Sequence, residues 1–216
     1  MQSIAPGPAR RALDLAVTVP ALLLLGPVLL LLMAAIRLTS RGPALFRQTR
    51  VGQGGRPFQI YKLRTMRSGV AGPDLTASQD PRVTGLGRLL RRTSLDELPQ
   101  LWNVLRGDMT LVGPRPETPG LAERYPADCR WIFAHRPGLT GVSQLRLRDA
   151  EVLPRGGAVN LEHYLAELVP ARVAIDAGYL RRPTLIATIR VLVETARYLL
   201  GRSVTPPPGA APAPAA

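Results

Sequence analysis

The chain has 216 residues, 28 of them basic and 15 acidic, which gives a net charge of +13. An apolar fraction of 46% excludes a disordered chain or a histone-like tail. The single cysteine, Cys129, excludes a disulfide framework, and together with two histidines it offers too few soft ligands for a structural zinc site. The basic excess indicates an anionic partner: a nucleic acid, a phosphate-bearing substrate or an anionic membrane surface.

An uncharged apolar segment of 22 residues, 15–36, follows the N-terminus. As a helix it is roughly 30 Å long, enough to cross a bilayer. It is too long for a signal peptide, and its leucine-rich surface would need a large protein to bury it. Gly26 and Pro27 lie in its middle and predict a kink. Arginines flank both ends, and because positive residues prefer the cytoplasmic side, a re-entrant hairpin is favoured over a kinked spanning helix, which stays the alternative.

The segments after this span predict a small mixed domain. Two short runs, 45–51 and 58–64, are separated by glycines and predict a β-hairpin. Residues 136–141 predict a rigid loop, and the Pro- and Ala-rich residues 205–216 predict a disordered tail. Helices are predicted, in chain order, over 83–92, 94–108 and 117–135, over a segment that contains Leu161 and ends at Pro170, and over 185–199.

Asp96 and Glu97 form an acidic pair at the start of the helix predicted over 94–108. Ser94 and Glu97 have capping-box spacing, whereas Pro99 would be better placed if Asp96 were the cap. Arginines near the pair in sequence suit a metal-bound phosphate, because Mg²⁺ takes carboxylate oxygens and phosphate takes arginine. One carboxylate would then be a nucleophile and the other a metal ligand. The alternative is that both only complement the helix dipole and pair with arginine.

The segment SLDELPQLWNVLRGDMTLVGPRP, residues 94–116, closely resembles the signature of the bacterial sugar transferases. These are the monotopic polyprenyl-phosphate phosphoglycosyl transferases. The resemblance covers about residues 10–200. The sequence has no N-terminal multi-helix bundle and in this respect resembles the short form of the family. After Gly141 the chain departs from the family's usual Trp-Ala-Gln, and only Gln144 is retained. Further blocks match in the same order: Arg10-Arg11-x-x-Asp14, 42–66, 80–97 and 136–141.

The resemblance implies an α+β fold that is mostly helical. Residues 1–41 would form a re-entrant membrane hairpin broken at Gly26 and Pro27. Residues 42–204 would form a cytoplasmic catalytic domain with interfacial amphipathic helices and a short β-hairpin, followed by the tail over 205–216.

The resemblance also implies an enzyme of the cytoplasmic face of the inner membrane. It would transfer a phosphosugar from a UDP-sugar to polyprenyl (undecaprenyl) phosphate, release UMP and begin the synthesis of a lipid-linked glycan. Mg²⁺ is the implied cofactor. Membrane phospholipids and downstream glycosyltransferases are implied partners, and nucleic acid is not.

The same resemblance assigns roles to individual residues. Asp96 matches the nucleophile that forms an acyl phosphate, and Glu97 matches the Mg²⁺ ligand. Substrate- or phosphate-binding roles fall on Arg91, Arg115, Lys62, Arg64, Arg88, Arg136 and Gln144. Two other functions are weighed: a non-catalytic scaffold for glycan enzymes, which has no use for an intact Asp96 and Glu97, and a membrane-tethered nucleic-acid binder, which would need interleaved aromatic residues.

Overall fold

The computed structural model describes residues 4–67, 69, 80–147 and 161–201. The predicted tail lies outside them. The helices are α1 (Pro8–Thr39), α2 (Gly85–Thr93), α3 (Leu101–Arg106), α4 (Pro119–Ala122), α5 (Val142–Leu147), α6 (Leu161–His163), α7 (Val169–Leu180) and α8 (Leu185–Leu199). The strands are β1 (Leu45–Val51), β2 (Pro57–Leu63), β3 (Thr110–Val112) and β4 (Gly138–Thr140). Shorter turns are the 3₁₀ helices Gln53–Gly55, Leu95–Gln100 and Ala127–Ala134 and the π-helical turn Tyr164–Leu168.

The strands form two small two-stranded sheets. β1 and β2 pair antiparallel from Leu45 opposite Leu63 to Val51 opposite Pro57, which confirms the predicted hairpin. Gly54 and Gly55 adopt positive φ in the turn, a conformation that glycine takes without steric cost. β3 and β4 pair in parallel, so the prediction of a loop over 136–141 is wrong for three of its six residues. Three-residue strands carry no local signal, and the pairing partner supplies their hydrogen bonds.

The predicted helix over 94–108 is divided. Leu95–Gln100 is a 3₁₀ helix and α3 follows it, ending at Gly107 in the left-handed conformation, as a C-terminal glycine should. Neither Ser94 nor Asp96 caps the helix as predicted: Ser94 itself adopts a left-handed conformation and its side chain makes no cap hydrogen bond.

Two further helix predictions are wrong, in both cases because of proline. Residues 117–135 form α4 and a separate 3₁₀ helix instead of one helix, since Pro126 lies between them without a backbone N–H to continue the first. Conversely, Pro170 does not end its helix. The π-helical turn before it lets the Val169 N–H reach the Tyr164 carbonyl, and Pro170 then occupies the first turn of α7, where it is tolerated.

The buried side chains form two apolar clusters. The larger one joins α3, β3, Ala127–Ala134, α5, α7 and α8 around fully buried residues such as Val104, Met109 and Val112. The smaller one lies at the open end of the hairpin and contains Ile36, Ala44, Leu63 and Leu90.

Helix α1 packs along both clusters. Leu22 and Leu25 pack against the larger cluster, and Leu32 and Met33 pack against the smaller one. The spacing of these residues follows one face of a helix. Leucines on the other faces are strongly exposed: Leu23, Leu24, Leu30 and Leu31 at 68 to 76%.

Polar contacts tie both ends of α1 to the rest of the chain. At the N-terminal end, Asp14 accepts hydrogen bonds from the Thr110 hydroxyl and the Leu111 N–H, and Arg11 donates to the carbonyls of Val104 and Leu105. At the other end, the buried Arg64 guanidinium donates to carbonyls of the last turn and the residues after it.

The helix is long and apolar enough to cross a membrane, with a mean hydropathy of 2.6 in its most apolar window. It continues through Gly26 and Pro27 as one helix, so the predicted break there is not confirmed. Proline removes only one hydrogen bond of the helix. The packing of α1 against the two apolar clusters, before and after Pro27, can offset this loss.

Candidate active site

The acidic pair lies in the first turn of the 3₁₀ helix that follows α2. Ser94, between the two helices, has φ of 57°, an uncommon value for a residue with a Cβ. This turn directs the chain back toward β2, which the 3₁₀ helix contacts extensively. Glu97 is half-buried, and Asp96 is 8% exposed.

Glu97 is held by two cations from separate parts of the chain. Lys62 on β2 donates to Glu97 Oε1 at 2.6 Å, a short charge-assisted hydrogen bond. Arg115 Nη1 lies 4.0 Å from the same oxygen. Burial lowers the pKa of Lys62, although the Glu97 charge opposes this. The arrangement neutralises Glu97 while leaving a second acid, Asp96, beside it.

The environment of Asp96 favours its neutral form. Burial raises the pKa of this carboxyl, and the Glu97 charge raises it further, while Lys62 and Arg91 act in the opposite direction. Arg91 is fixed by a hydrogen bond from its Nε to the Thr65 hydroxyl at 2.9 Å. A carboxylate that is disfavoured in its charged form is a stronger base and nucleophile than an exposed one.

Arg115 is carried by a loop that is tied down on both sides. The Gly138 N–H donates to the Pro114 carbonyl at 2.8 Å, and the Val51 N–H donates to the Glu117 carbonyl at 2.8 Å. A Cβ at Gly113 would lie 2.6 Å from the Arg136 carbonyl oxygen, so only glycine allows this approach. Burial acts to lower the pKa of Arg115, but Glu97 and Glu117 raise it above its usual value. This arginine therefore stays charged.

Lys62, Glu97 and Arg115 face a common cleft. Arg50, Gln100 and Gln144 complete its polar lining. Asp96 is adjacent in sequence but is not one of the lining residues. The cleft is small, strongly cationic and open, as a site for phosphate groups should be.

Gln144 reaches the cleft from α5, whose start is fixed by a buried carboxylate. Asp176 on α7 accepts hydrogen bonds from the Ser143 N–H at 2.9 Å and the Ser143 hydroxyl at 2.8 Å. Burial raises the pKa of Asp176 to about 6, which these hydrogen bonds and Arg172 partly oppose. The contact lies where the chain departs from the motif usual in the family.

The structure thus brings together six of the residues predicted for the site and separates three others from it. Arg64 is turned toward the end of α1. Arg136 donates to the Gln53 side chain at 3.0 Å and lies near Arg11, on a different part of the surface. Arg88 lies on the exposed side of α2. The residues brought together are Lys62, Arg91, Asp96, Glu97, Arg115 and Gln144.

Sequence reasoning missed Arg50 and Glu117. Arg50 lies on β1 and its Nη1 donates to the Pro116 carbonyl at 3.2 Å. Glu117 is the residue directly after the 94–116 block, and it is 5% exposed. The sequence does contain a signal for Glu117, because this acid directly follows the Pro-Arg-Pro segment. An acid buried next to a cationic site needs polar partners nearby.

Comparison with known proteins identifies the family of the chain. The profile of the family described as Bacterial sugar transferase matches residues 6–202. The chain belongs to the bacterial sugar transferase family. This confirms the predicted family and the prediction of an enzyme of the phosphoglycosyl transferase class.

Several curated relatives are similar over most of this chain. A UDP-glucose:undecaprenyl-phosphate glucose-1-phosphate transferase of Caulobacter vibrioides is 45% identical over 88% of this chain and 69% of its own length. An exopolysaccharide production protein of Rhizobium leguminosarum is 38% identical over 86% of this chain and 92% of its own length. An undecaprenyl-phosphate glucose phosphotransferase of Komagataeibacter xylinus is 40% identical, but the match spans only 35% of that longer protein.

The acidic pair also has the chemistry of a Mg²⁺ site. Among the described residues, no group of three or more histidine, cysteine or acidic side chains is gathered. Mg²⁺ in phosphoryl-transfer sites uses one or two carboxylates and takes its other ligands from substrate phosphates and water. Two adjacent carboxylates beside a cationic cleft fit that requirement.

Proposed function

We propose that this protein transfers a phosphosugar from a UDP-sugar to undecaprenyl phosphate through a covalent intermediate on Asp96. The observation that carries the proposal is a buried carboxyl with a raised pKa, next to a second carboxylate and among three cations. The names of the relatives support polyprenyl-phosphate phosphosugar transfer with glucose, galactose or N-acetylgalactosamine as the sugar.

In the first step, an Asp96 carboxylate oxygen attacks the β-phosphorus of the UDP-sugar. The bond from that phosphorus to the bridging oxygen breaks, and UMP leaves with the oxygen and its electron pair. In the second step, an oxygen of undecaprenyl phosphate attacks the same phosphorus. The bond to Asp96 breaks, which restores the carboxylate and yields undecaprenyl diphosphate-sugar.

The surrounding residues prepare the site for charge on phosphate. Arg115 and Arg91 would bind the phosphate oxygens, and Lys62 holds Glu97 in place. Glu97 would hold Mg²⁺, which when bound neutralises charge on the phosphate oxygens. Because such reactions depend mainly on positioning and electrostatics, fixed cations contribute much of the rate.

We also infer that α1 inserts in the cytoplasmic membrane as a re-entrant element, bent at Pro27. The support is that Asp14 near one end and Ile36 near the other contact the same catalytic body. A helix that crossed the bilayer would separate those two ends. Its exposed leucines would then contact lipid, while the exposed Arg37 and Arg41 would face the anionic cytoplasmic leaflet.

The chemistry is tested with the protein in detergent, undecaprenyl phosphate and a panel of UDP-sugars, by measuring UMP release. Radiolabelled UDP-sugar without the lipid acceptor should leave label on the protein, and Asp96→Asn should abolish both label and UMP release. Asp108→Asn is the matched control, since Asp108 contacts Asn103 and Arg106 outside the cleft. EDTA should remove activity and Mg²⁺ should restore it. Full-rate UMP release by Asp96→Asn would refute the nucleophile.

The topology is tested by labelling introduced cysteines in intact cells. Ala5→Cys and Arg41→Cys flank α1, and the native Cys129 is buried, so background labelling is low. Both positions should resist a reagent that does not cross the membrane. Labelling of only one of them from outside would show a spanning helix.

A further inference from the structure

A buried polar cluster adjoins a second cavity that Arg115 also lines. It comprises Arg50, Glu117, Tyr125, Tyr164 and Arg172, and we refer to it as the Glu117 cluster. Its centre, the Glu117 carboxylate, is 5% exposed. The reaction proposed above uses none of these side chains directly, and yet burying an acid among them is costly unless every partner is in place.

Both oxygens of the Glu117 carboxylate have partners. Oε1 accepts hydrogen bonds from the Tyr125 hydroxyl at 3.0 Å and the Tyr164 hydroxyl at 3.3 Å. Arg172 Nη1 lies 3.6 Å from the same oxygen and donates to the Tyr164 hydroxyl at 2.6 Å. Arg50 Nη1 lies 3.9 Å from Oε2. One carboxylate therefore joins β1, the segment after α4, the π-helical turn and α7.

The cluster also fixes the backbone next to Arg115. Arg50 donates to the Pro116 carbonyl, and the Glu117 carbonyl accepts from the Val51 N–H. These contacts involve the two residues that directly follow Arg115 in the chain. With the bond from Gly138 to Pro114 on the other side, the path of the backbone through Arg115 is set from both directions.

The Arg115 side chain stands between two acids. It is part of the wall of the cleft that contains Glu97, and part of the wall of a second cavity that contains Glu117, Tyr125 and Arg172. With Glu97 alone nearby, the guanidinium would be drawn to the acidic pair, where it would occupy the space of the phosphate. A second negative charge behind it balances that attraction.

We propose that Glu117 is a positioning residue that holds the Arg115 guanidinium where it meets the β-phosphate of the UDP-sugar. The inference rests on the proposed function, since it assigns Arg115 a phosphate ligand. It gives Glu117 a role beyond stabilising the fold: its effect on the reaction should pass entirely through Arg115.

A double-mutant cycle on UMP release tests this. Glu117→Gln keeps the size of the side chain and an acceptor for the tyrosines but removes the charge. We expect it to lower kcat/KM about 10- to 100-fold, as is typical for residues that orient a catalytic group. In an Arg115→Ala background, Glu117→Gln should lower kcat/KM by less than about 2-fold, because the side chain that Glu117 positions is absent. If Arg115→Ala is too slow to measure, Arg115→Lys takes its place.

Losses that multiply in the two backgrounds would overturn the proposal, because a purely structural effect does not depend on Arg115. So would a Glu117→Gln variant with the activity of the wild type. If Glu117→Gln does not fold, Tyr125→Phe removes one hydrogen bond to Glu117 and enters the same cycle. Tyr179→Phe is the matched control: it removes a buried tyrosine hydrogen bond, to Thr188, outside the cluster, and should show no coupling.

The two proposals fail in different ways. If the wild type releases no UMP from any UDP-sugar, the proposed function is wrong. If the wild type is active but Glu117 and Arg115 act independently, only the positioning role is wrong.

Discussion

The sequence and the structure indicate different roles for Arg64, and replacing this residue tests which role is right. The sequence block that contains Lys62 and Arg64 predicts that both bind substrate. In the structure Lys62 contacts Glu97, whereas Arg64 is 6% exposed and donates to Ile36, Ser40 and Arg41 at the end of α1. Arg64→Met should therefore destabilise the fold and leave substrate binding by the folded protein unchanged.

The magnitude follows from the contacts that are lost. The hydrogen bonds from Arg64 to Ile36, Ser40 and Arg41 measure 2.5 to 3.3 Å, and those to the Ser40 and Arg41 carbonyls are the shortest to carbonyl oxygens. A hydrogen bond from a charged donor contributes about 1.5–3 kcal/mol, so losing these two costs about 3–6 kcal/mol. For a chain of this size each kcal/mol lowers Tm by about 2–4 °C, which gives a decrease of about 6–24 °C.

The assay combines thermal unfolding in detergent with the KM for UDP-sugar measured below the transition. Arg124→Met, at an exposed arginine, is the matched control for stability and should melt with the wild type. An Arg64→Met variant that melts with the wild type but has a raised KM would refute the reasoning. Arg64 would then bind substrate, as the sequence predicts.

Three further predictions concern the site and the loop beside it. Asp96→Asn should raise Tm near neutral pH, because burial raises the pKa of Asp96 and makes its charged form costly. The folded wild type takes up a proton at a higher pH than the unfolded chain, so the gain should shrink on acidification; a pH-independent gain would contradict this. Burial lowers the pKa of Lys62, so the lysine loses its proton at a lower pH than an exposed lysine would. Lys62→Arg should therefore raise the pH at which kcat/KM falls on the alkaline side of the pH profile. The same alkaline fall in both proteins would contradict this. Gly113→Ala should lower the free energy of unfolding in urea by about 2–4 kcal/mol, because the added Cβ would lie 2.6 and 2.8 Å from backbone atoms. Gly120→Ala is the control and should leave the free energy of unfolding unchanged, because a Cβ at Gly120 has open space around it. Equal stability of the two variants would contradict the packing argument.

Local patterns were sufficient where the structure is locally determined. Glycines between two short runs predicted the β1–β2 hairpin to within one residue, and the periodicity of 185–199 predicted α8. They failed where a distant partner decides. β4 exists because β3, 28 residues earlier, pairs with it. Pro170 continues a helix because the turn before it is π-helical, and no single residue in the sequence predicts that turn.

The site was predicted in composition but not in geometry. A motif names the residue types that handle phosphate, and Lys62, Asp96, Glu97 and Arg115 do lie together. It does not show which way an arginine points. Arg64 follows the end of β2 and meets a helix terminus, an alternative anionic partner that offers carbonyl oxygens instead of phosphate oxygens.

The anchoring of α1 has a consequence for the order of events during synthesis. Arg10 and Asp14 find their partners at Val112, Thr110 and Leu111, 96 to 102 residues further along the chain. The ribosome therefore releases the apolar helix long before the residues that neutralise its first turns exist. Until then these two charges must be solvated or paired with each other. The contacts that fix the first turns of α1 can therefore form only after residues 110–112 have been synthesised.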